Sequence, residues 1–222
     1  MVEHELEVSS ILFDMDGVIT NTMPDHYFAW KTILQRQGIQ VTYHDIYLRE
    51  GQPGIESVTQ IFHRYGRVLN KKKADEILRE KEDLFKKIVK TRFVAGARSF
   101  VKMLRKSKFE LALVTGTSRH ELYQILPESL YSAFSVIITG NDVCNGKPHP
   151  EPYLKSIKQL GIKPSLGVVI ENAPFGIQSA KRAGLKCFAI ETSLPREYLQ
   201  EADAVFSSIK ELKDKVSFYL SL

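Results

Sequence analysis

The segment Ser10–Thr22, which reads SILFDMDGVITNT, joins a short apolar run to two acidic residues and gives the first indication of the fold. The apolar run Ile11–Phe13 precedes Asp14 and Asp16, and Gly17 follows them. A short apolar run that ends in turn-forming residues is typical of a strand buried on both faces, as in a parallel sheet. Aspartate favours turns, but two carboxylates directly after a buried strand cost free energy unless a cation compensates them. The segment therefore predicts a buried strand that leads into a polar site.

Five further apolar runs continue this pattern along the chain. They are Leu111–Val114, Val136–Ile138, Gly167–Ile170, Cys187–Ile190 and Ala204–Phe206. Segments with helical spacing lie between most of them, namely Ala97–Arg105, Ser118–Leu126, Pro150–Leu160 and Pro174–Ala183. Strands that alternate with helices predict an α/β fold with a parallel sheet and right-handed crossovers.

The stretch from residue 23 to residue 91 interrupts this alternation, because it contains helical patterns and no convincing strand. Pro24 and Pro53 suit the first turns of two helices. We therefore predict an α/β core domain formed by residues 1–22 and 92–222, and an inserted helical domain formed by residues 23–91. Since only two chain crossings join them, the insertion has the connectivity of a hinged lid.

Composition and charge favour an ordinary globular protein over one that binds nucleic acid. The 222 residues are 43% hydrophobic and 26% charged, with a formal net charge of +5. Residues 67–92 hold 10 Lys/Arg and 5 Asp/Glu, so this one segment carries the whole excess. Apolar residues such as Ile77 and Phe85 mark one stripe of a helix whose other faces are charged. Charges of mixed sign without interleaved aromatics argue against a nucleic-acid partner.

Targeting and redox signals are also missing from the sequence. No stretch of 18 apolar residues suggests a membrane span, and the N-terminal MVEHELEVSS lacks the pattern of a signal peptide. The spacing of Cys144 and Cys187 suits neither a disulfide framework nor a zinc site. We expect a cytoplasmic protein with reduced thiols and no membrane partner. A monomer is the simplest expectation, although the sequence does not reveal the oligomeric state.

Polar residues follow each of the first four predicted core strands. In chain order they are Asp14 and Asp16, Thr115–Ser118, Lys147, and Glu171 with Asn172. Ligands of open parallel sheets bind beyond the carboxyl ends of the strands, so we expect these groups to converge. Carboxylates, a lysine and hydroxyls suit phosphoryl transfer, in which one carboxylate attacks, another moves a proton and Mg²⁺ neutralises oxygens.

Each of these residues also has a simpler interpretation when it is taken singly. Thr115 suits a helix cap, Lys147 a solvated loop lysine, and Glu171 a partner in a surface ion pair. Their common position at strand ends favours one shared site.

The motifs together resemble those of a known superfamily. The stretch Asp14–Thr22 is similar to the first motif of the haloacid dehalogenase superfamily, and Thr115, Lys147 with Pro148, and Glu171 with Asn172 match its other three. The helical insertion is similar to the cap domain of that superfamily, and the sequence most resembles the β-phosphoglucomutase-like phosphatases. The resemblance implies a Rossmann-like parallel sheet core with an inserted all-helical cap. It also implies a Mg²⁺-dependent phosphatase that hydrolyses a small phosphorylated metabolite, such as a sugar phosphate, through an aspartyl-phosphate.

The resemblance also implies roles for individual residues. Asp14 would be the nucleophile and a metal ligand, and Asp16 the general acid/base with its backbone carbonyl on the metal. Thr115, the amide of Gly116 and Lys147 would hold the transferring phosphoryl group.

Glu171 and Asn172 occupy the positions of the metal-binding acidic pair, where Glu-Asp or Asp-Asp is usual. An amide oxygen ligates magnesium without contributing charge. We therefore expect weaker metal binding, more reliance on Glu171, or contact of Asn172 with the metal through water.

Substrate contacts are expected from both domains. His26 matches a cap histidine of the β-phosphoglucomutase relatives, Arg49 lies in a loop that suits entry into the site, and Thr117 and Arg119 are candidates from the core.

Phosphatase activity is one of three functions compatible with these motifs. The mutases that the chain resembles carry a lysine and an arginine at the positions of Glu50 and Gly54. A phosphomutase with this sequence would therefore lack two cations that help to bind a second phosphate. Asn172 leaves open a non-catalytic phospholigand-binding protein with a degenerate metal site. A dehalogenase is disfavoured, because those relatives lack the aspartate at the position of Asp16.

Overall fold

The computed structural model describes residues 2–221 and contains eight strands. They are β1 (His4–Val8), β2 (Ser10–Phe13), β3 (Glu110–Val114), β4 (Val136–Ile138), β5 (Gly167–Glu171), β6 (Lys186–Ile190), β7 (Ala204–Phe206) and β8 (Val216–Leu220). Six of them form a sheet in the order β4-β3-β2-β5-β6-β7, and β1 pairs with β8 in a separate sheet. All pairs between these strands are parallel. The predicted α/β fold and all six predicted core strands are confirmed.

The helices, in chain order, are α1 (Met23–Arg36), α2 (Tyr43–Tyr47), α3 (Gly54–Arg64), α4 (Lys71–Ile88), α5 (Ala97–Lys106), α6 (Arg119–Ile125), α7 (Glu128–Tyr131), α8 (Glu151–Leu160), α9 (Pro174–Arg182) and α10 (Ile209–Lys215). The last six flank the sheet. Adjacent residues of β2 face opposite sides, since strand side chains alternate. Phe13 packs in a core cluster with Phe100 of α5, and Leu12 in another with Tyr153 of α8. Both faces of the sheet are therefore buried, which explains the uninterrupted apolar runs.

Residues 23–91, which comprise α1 to α4 and their loops, are called the helical insert below. No strand lies within this range of the described chain. The insert has its own apolar cluster, to which Trp30, Ile33, Phe62 and Ile77 belong. The four helices therefore bury their apolar stripes mainly against one another, as the helical spacing predicts.

The short sheet of β1 and β8 was not predicted. Leu6 and Val8 of β1 are buried while Glu5 and Glu7 are exposed, which is the alternation of a half-buried strand. This alternation is visible in the sequence, but it covers only five residues. The strand pairs with the far end of the chain, from His4 with Val216 to Val8 with Leu220, and the sequence does not indicate that pairing. Among residues 2–221, no helix combines the length and apolarity that a membrane crossing requires.

Candidate active site

Three neighbouring strands deliver the predicted side chains to one edge of the sheet. Asp14 follows β2, Thr115 follows β3, and Glu171 is the last residue of β5. Because β2 lies between β3 and β5, these three residues emerge side by side. Lys147 reaches the same place from the loop after β4.

Lys147 links all three of these strand ends. Its Nζ donates to Asp14 Oδ1 at 2.6 Å, to Glu171 Oε1 at 2.7 Å and to the Val114 carbonyl oxygen at 3.0 Å. All three ammonium hydrogens therefore have an acceptor in a side chain that is 2% exposed. Burial acts to lower the pKa of Lys147, but the charges of Asp14 and Glu171 outweigh it and raise that pKa. The lysine is consequently a fixed cation at neutral pH.

The pKa of Asp14 is strongly raised by its surroundings. Burial raises its pKa to about 8, the charge of Lys147 opposes this, and Glu171 and Asp16 add to the rise. Its Oδ1 accepts from Lys147, whereas its buried Oδ2 has no hydrogen-bond partner. A bound cation near Oδ2 would favour the ionised form that a nucleophile requires.

Asp16 has the opposite electrostatic character. Its Oδ2 accepts a hydrogen bond from Thr117 Oγ1 at 2.9 Å, and its Oδ1 accepts one from Thr22 Oγ1. Burial alone would raise its pKa, but His26, Thr22 and Thr117 together lower it to about 2. Asp16 is therefore ionised in the free protein and able to accept a proton.

His26 of α1 lies beside Asp16 and is backed by a buried lysine. His26 Nε2 lies 3.7 Å from Asp16 Oδ1, its Nδ1 lies 3.0 Å from Lys81 Nζ, and its ring stacks on Phe85 at 3.9 Å between centroids. Burial and the charge of Lys81 lower the pKa of His26, so the imidazole is neutral at pH 7. Because a neutral His26 adds no positive charge, the hydrogen bonds from the Thr22 and Thr117 hydroxyls are what stabilises ionised Asp16 at pH 7.

A cavity of about 360 Å³ separates these core residues from the helical insert. The core contributes Asp14, Asp16, Thr115, Gly116, Thr117 and Lys147 to its lining. The insert contributes polar groups and an apolar wall, including His26, Trp30, Arg49, Glu50, Ile55 and Lys81. The cavity has room for a small metabolite with a phosphate at the core side.

Of the predicted substrate contacts, the structure does not bring Arg119 to the cavity lining. Its Nη2 donates to Asp142 Oδ2 at 2.6 Å and to the Ile137 carbonyl oxygen at 3.2 Å. The guanidinium therefore ties the start of α6 to the segment after β4. Arg119 was predicted as a substrate contact from the core, but its guanidinium is paired with Asp142 instead.

Glu171 and Asn172 lie beneath the cavity and are 1% and 0% exposed. Glu171 Oε1 accepts from Lys147 and from the Tyr153 hydroxyl at 3.0 Å, and its Oε2 accepts from the Asn172 backbone N–H at 2.9 Å. Asn172 Nδ2 donates to Glu50 Oε2 at 3.1 Å and to Ser193 Oγ at 2.7 Å. The pair at positions 171 and 172 is thus held rigidly, with Glu171 fully paired and Asn172 Oδ1 unpaired.

The donor atoms at this edge suit a hard cation. Asp14 Oδ2, Asn172 Oδ1 and Glu50 Oε1 are buried oxygens without a hydrogen-bond partner, and oxygen ligands are those that Mg²⁺ prefers. Within residues 2–221, no three His, Cys, Asp or Glu side chains are arranged to hold a metal ion by themselves. A magnesium ion here would therefore also need the amide oxygen of Asn172 or a backbone carbonyl.

Lys81 and Glu50 are among the cavity residues that were not predicted as site residues. Lys81 lies four residues from both Ile77 and Phe85 on the buried stripe of α4, and this spacing was a usable signal. Glu50 carried no such signal, because its partner Asn172 is 122 residues away in the sequence.

Comparison with known proteins agrees with this geometry. The profile of the family described as haloacid dehalogenase-like hydrolase matches residues 11–190. The chain therefore belongs to the haloacid dehalogenase-like hydrolases and is a phosphatase of that family.

Two curated relatives that the chain resembles over most of its length are named as phosphatases. The validoxylamine A 7'-phosphate phosphatase of Streptomyces hygroscopicus subsp. limoneus is 30% identical over 211 residues, which cover 91% of this chain and 94% of that protein. The phosphorylated carbohydrates phosphatase of Thermotoga maritima is 30% identical over 187 residues, covering 81% and 83%. A Bacteroides vulgatus protein named as a putative β-phosphoglucomutase superposes with a TM-score of 0.81 at 30% identity over 95% of this chain and 88% of its own. The chain is thus a β-phosphoglucomutase-like member of the family.

Proposed function

We propose that this protein hydrolyses a small phosphomonoester, such as a sugar phosphate, in a Mg²⁺-dependent reaction in which Asp14 is the nucleophile. The observation that carries the proposal is the buried pairing of Lys147 with Asp14 and Glu171 on the floor of a cavity that Asp16 and Thr115 also line. The relatives named as phosphatases of validoxylamine A 7'-phosphate and of phosphorylated carbohydrates support a sugar-like substrate. They also favour hydrolysis over phosphomutase activity.

The residues at the cavity floor supply the groups that phosphoryl transfer requires. Asp14 attacks phosphorus, the bond between phosphorus and the ester oxygen breaks, and an aspartyl-phosphate forms. Lys147 and the Thr115 hydroxyl hold the phosphoryl oxygens, whose negative charge spreads in the transition state. A magnesium ion held by Asp14, Asn172 and the Asp16 carbonyl would neutralise part of that charge.

Asp16 is placed to move the protons. It is ionised in the free protein, with a pKa of about 2, so the proton for the leaving alcohol must arrive with the substrate. A phosphomonoester that binds as its monoanion carries this proton, and its charge raises the pKa of Asp16. After the alcohol leaves with the proton, ionised Asp16 takes a proton from water, which then attacks the aspartyl-phosphate.

The test is turnover of an aryl phosphate and a panel of sugar phosphates by purified protein with Mg²⁺. Asp14→Asn should lower the rate by at least about a thousandfold, because the amide of asparagine cannot replace the attacking carboxylate. Asp214→Asn is the matched control, since Asp214 is an exposed residue of α10 that pairs with Lys210 and does not line the cavity. Retained activity in Asp14→Asn would refute the nucleophile assignment. Conversion of β-glucose 1-phosphate into an isomeric sugar phosphate, instead of release of inorganic phosphate, would indicate the mutase.

A further inference from the structure

The loop that follows α2 carries a carboxylate from the helical insert into the core site. Glu50 is 9% exposed, and its Oε2 accepts a hydrogen bond from Asn172 Nδ2 at 3.1 Å. The next residue, Gly51, has φ +78°, and a Cβ there would lie 2.7 Å from Lys147 Cδ. Gly51 therefore provides both the left-handed backbone and the close approach that allow the loop to rest on Lys147.

Three buried oxygens of the site lack hydrogen-bond partners. Glu50 Oε1, Asp14 Oδ2 and Asn172 Oδ1 are all buried and unpaired in the described structure, and Glu50 and Asp14 both line the cavity. A buried oxygen acceptor without a partner costs about 1–3 kcal/mol, and more when it is charged. The arrangement is therefore one that a hard cation would stabilise.

The buried carboxyl groups around these oxygens outnumber the cation that contacts them. Asp14, Asp16, Glu50 and Glu171 are buried carboxyl groups, and Lys147 is the cation that contacts two of them directly. Buried charges that lack a partner are expensive. Addition of Glu50 to the site thus increases the need for a positive ion.

The residue at position 172 is matched to Glu50. An aspartate, the type usual at this position in the family that the chain resembles, would set a second carboxylate against Glu50. Asn172 instead donates its Nδ2 hydrogens to Glu50 and to Ser193, which leaves its Oδ1 free. The carboxyl group missing at position 172 is therefore present nearby at position 50.

We propose that Glu50 supplies to a divalent cation the carboxylate that Asn172 lacks, so that the helical insert completes the metal site. The inference rests on the proposed Mg²⁺-dependent function and adds which residue supplies one carboxylate ligand of the metal. It has a structural consequence, because metal binding would then depend on the position of the insert over the core.

The experiment is titration of the purified full chain with MgCl₂, without substrate, by isothermal calorimetry. Glu50→Gln keeps the shape of the side chain and removes its charge, so Mg²⁺ affinity should fall by about tenfold to a hundredfold. Asn172→Asp in the Glu50→Gln background returns a carboxylate to the site, and the affinity should recover. Glu56→Gln is the control, because Glu56 is an exposed glutamate of the insert at the start of α3 and should leave the affinity unchanged.

Thermal unfolding gives a second readout that also reports whether each variant folds. In EDTA, Glu50→Gln should unfold at the same temperature as the wild type or higher, since it keeps the shape of the side chain and removes a buried acid that has no cation partner. Addition of MgCl₂ should raise the unfolding temperature of the wild type much more than that of Glu50→Gln.

The outcomes separate this inference from the proposed function. Wild-type Mg²⁺ binding that Glu50→Gln leaves intact would overturn the role of Glu50 while the phosphatase stands. Weak binding that Asn172→Asp does not restore in the double variant would also overturn it. A wild-type protein that neither binds Mg²⁺ nor hydrolyses phosphate esters would overturn both.

Discussion

Removal of the Lys147 ammonium should lower the free energy of unfolding, and the contacts of Lys147 indicate by how much. In Lys147→Met the stem of the side chain is kept, but Asp14 Oδ1 loses its hydrogen-bond donor. Glu171 keeps the Tyr153 hydroxyl at 3.0 Å and the Asn172 backbone N–H at 2.9 Å. Breaking a buried ion pair from one side costs about 3–5 kcal/mol. Because Glu171 stays partly compensated, we expect about 3 kcal/mol, or a fall in Tm of roughly 6–12 °C for a chain of this size.

The assay is urea unfolding in EDTA at a pH above 8, where Asp14 is ionised, followed by far-ultraviolet circular dichroism. Lys181→Met is the matched control, because Lys181 Nζ lies 2.6 Å from Asp203 Oδ1, the same distance as in the Lys147–Asp14 pair, but its side chain is 38% exposed. An exposed pair contributes about 0–1 kcal/mol. If Lys147→Met lost no more stability than Lys181→Met, the buried pairing would not hold the strand ends together as described.

Two further predictions concern the same cluster. Substitution of glycine by alanine usually stabilises a helix by about 1 kcal/mol. Gly176→Ala should instead lower the free energy of unfolding by about 1–3 kcal/mol, because a Cβ there would lie 1.7 Å from Glu171 Oε1. A more stable variant in a urea titration would contradict this packing. The pKa of Asp14 is raised by burial from 3.8 to about 8, so the folded protein retains a proton that the unfolded chain has lost. In EDTA, the free energy of unfolding of the wild type should therefore fall relative to Asp14→Asn as pH rises from about 5 to about 8. No relative change over this range would show that Asp14 is already ionised when folded.

The core sheet was predictable because its strands carry strong local signals. Runs such as Ile11–Phe13 and Gly167–Ile170 are apolar throughout, and only a strand covered on both faces accommodates such a run in so few residues. The two-stranded sheet was missed because His4–Val8 is a short alternating segment whose partner, Val216–Leu220, lies at the opposite end of the chain. Pairing over that distance depends on packing that no local pattern records.

The same distinction explains which site residues the sequence could indicate. Asp14, Thr115 and Glu171 stand directly at strand ends, so the order of the strands alone brings them together. Arg119 stands one turn further on, where a flexible side chain has a choice of acceptors, and Asp142 is the one it contacts. Glu50 belongs to a loop whose position depends on how the helical insert rests on the core, and that contact becomes visible only in the folded chain. A site residue whose place is set by the backbone of a strand can be predicted from sequence, whereas one placed by docking of an inserted segment requires the structure. An unexpected neutral residue such as Asn172 is therefore best interpreted together with the side chain that packs against it.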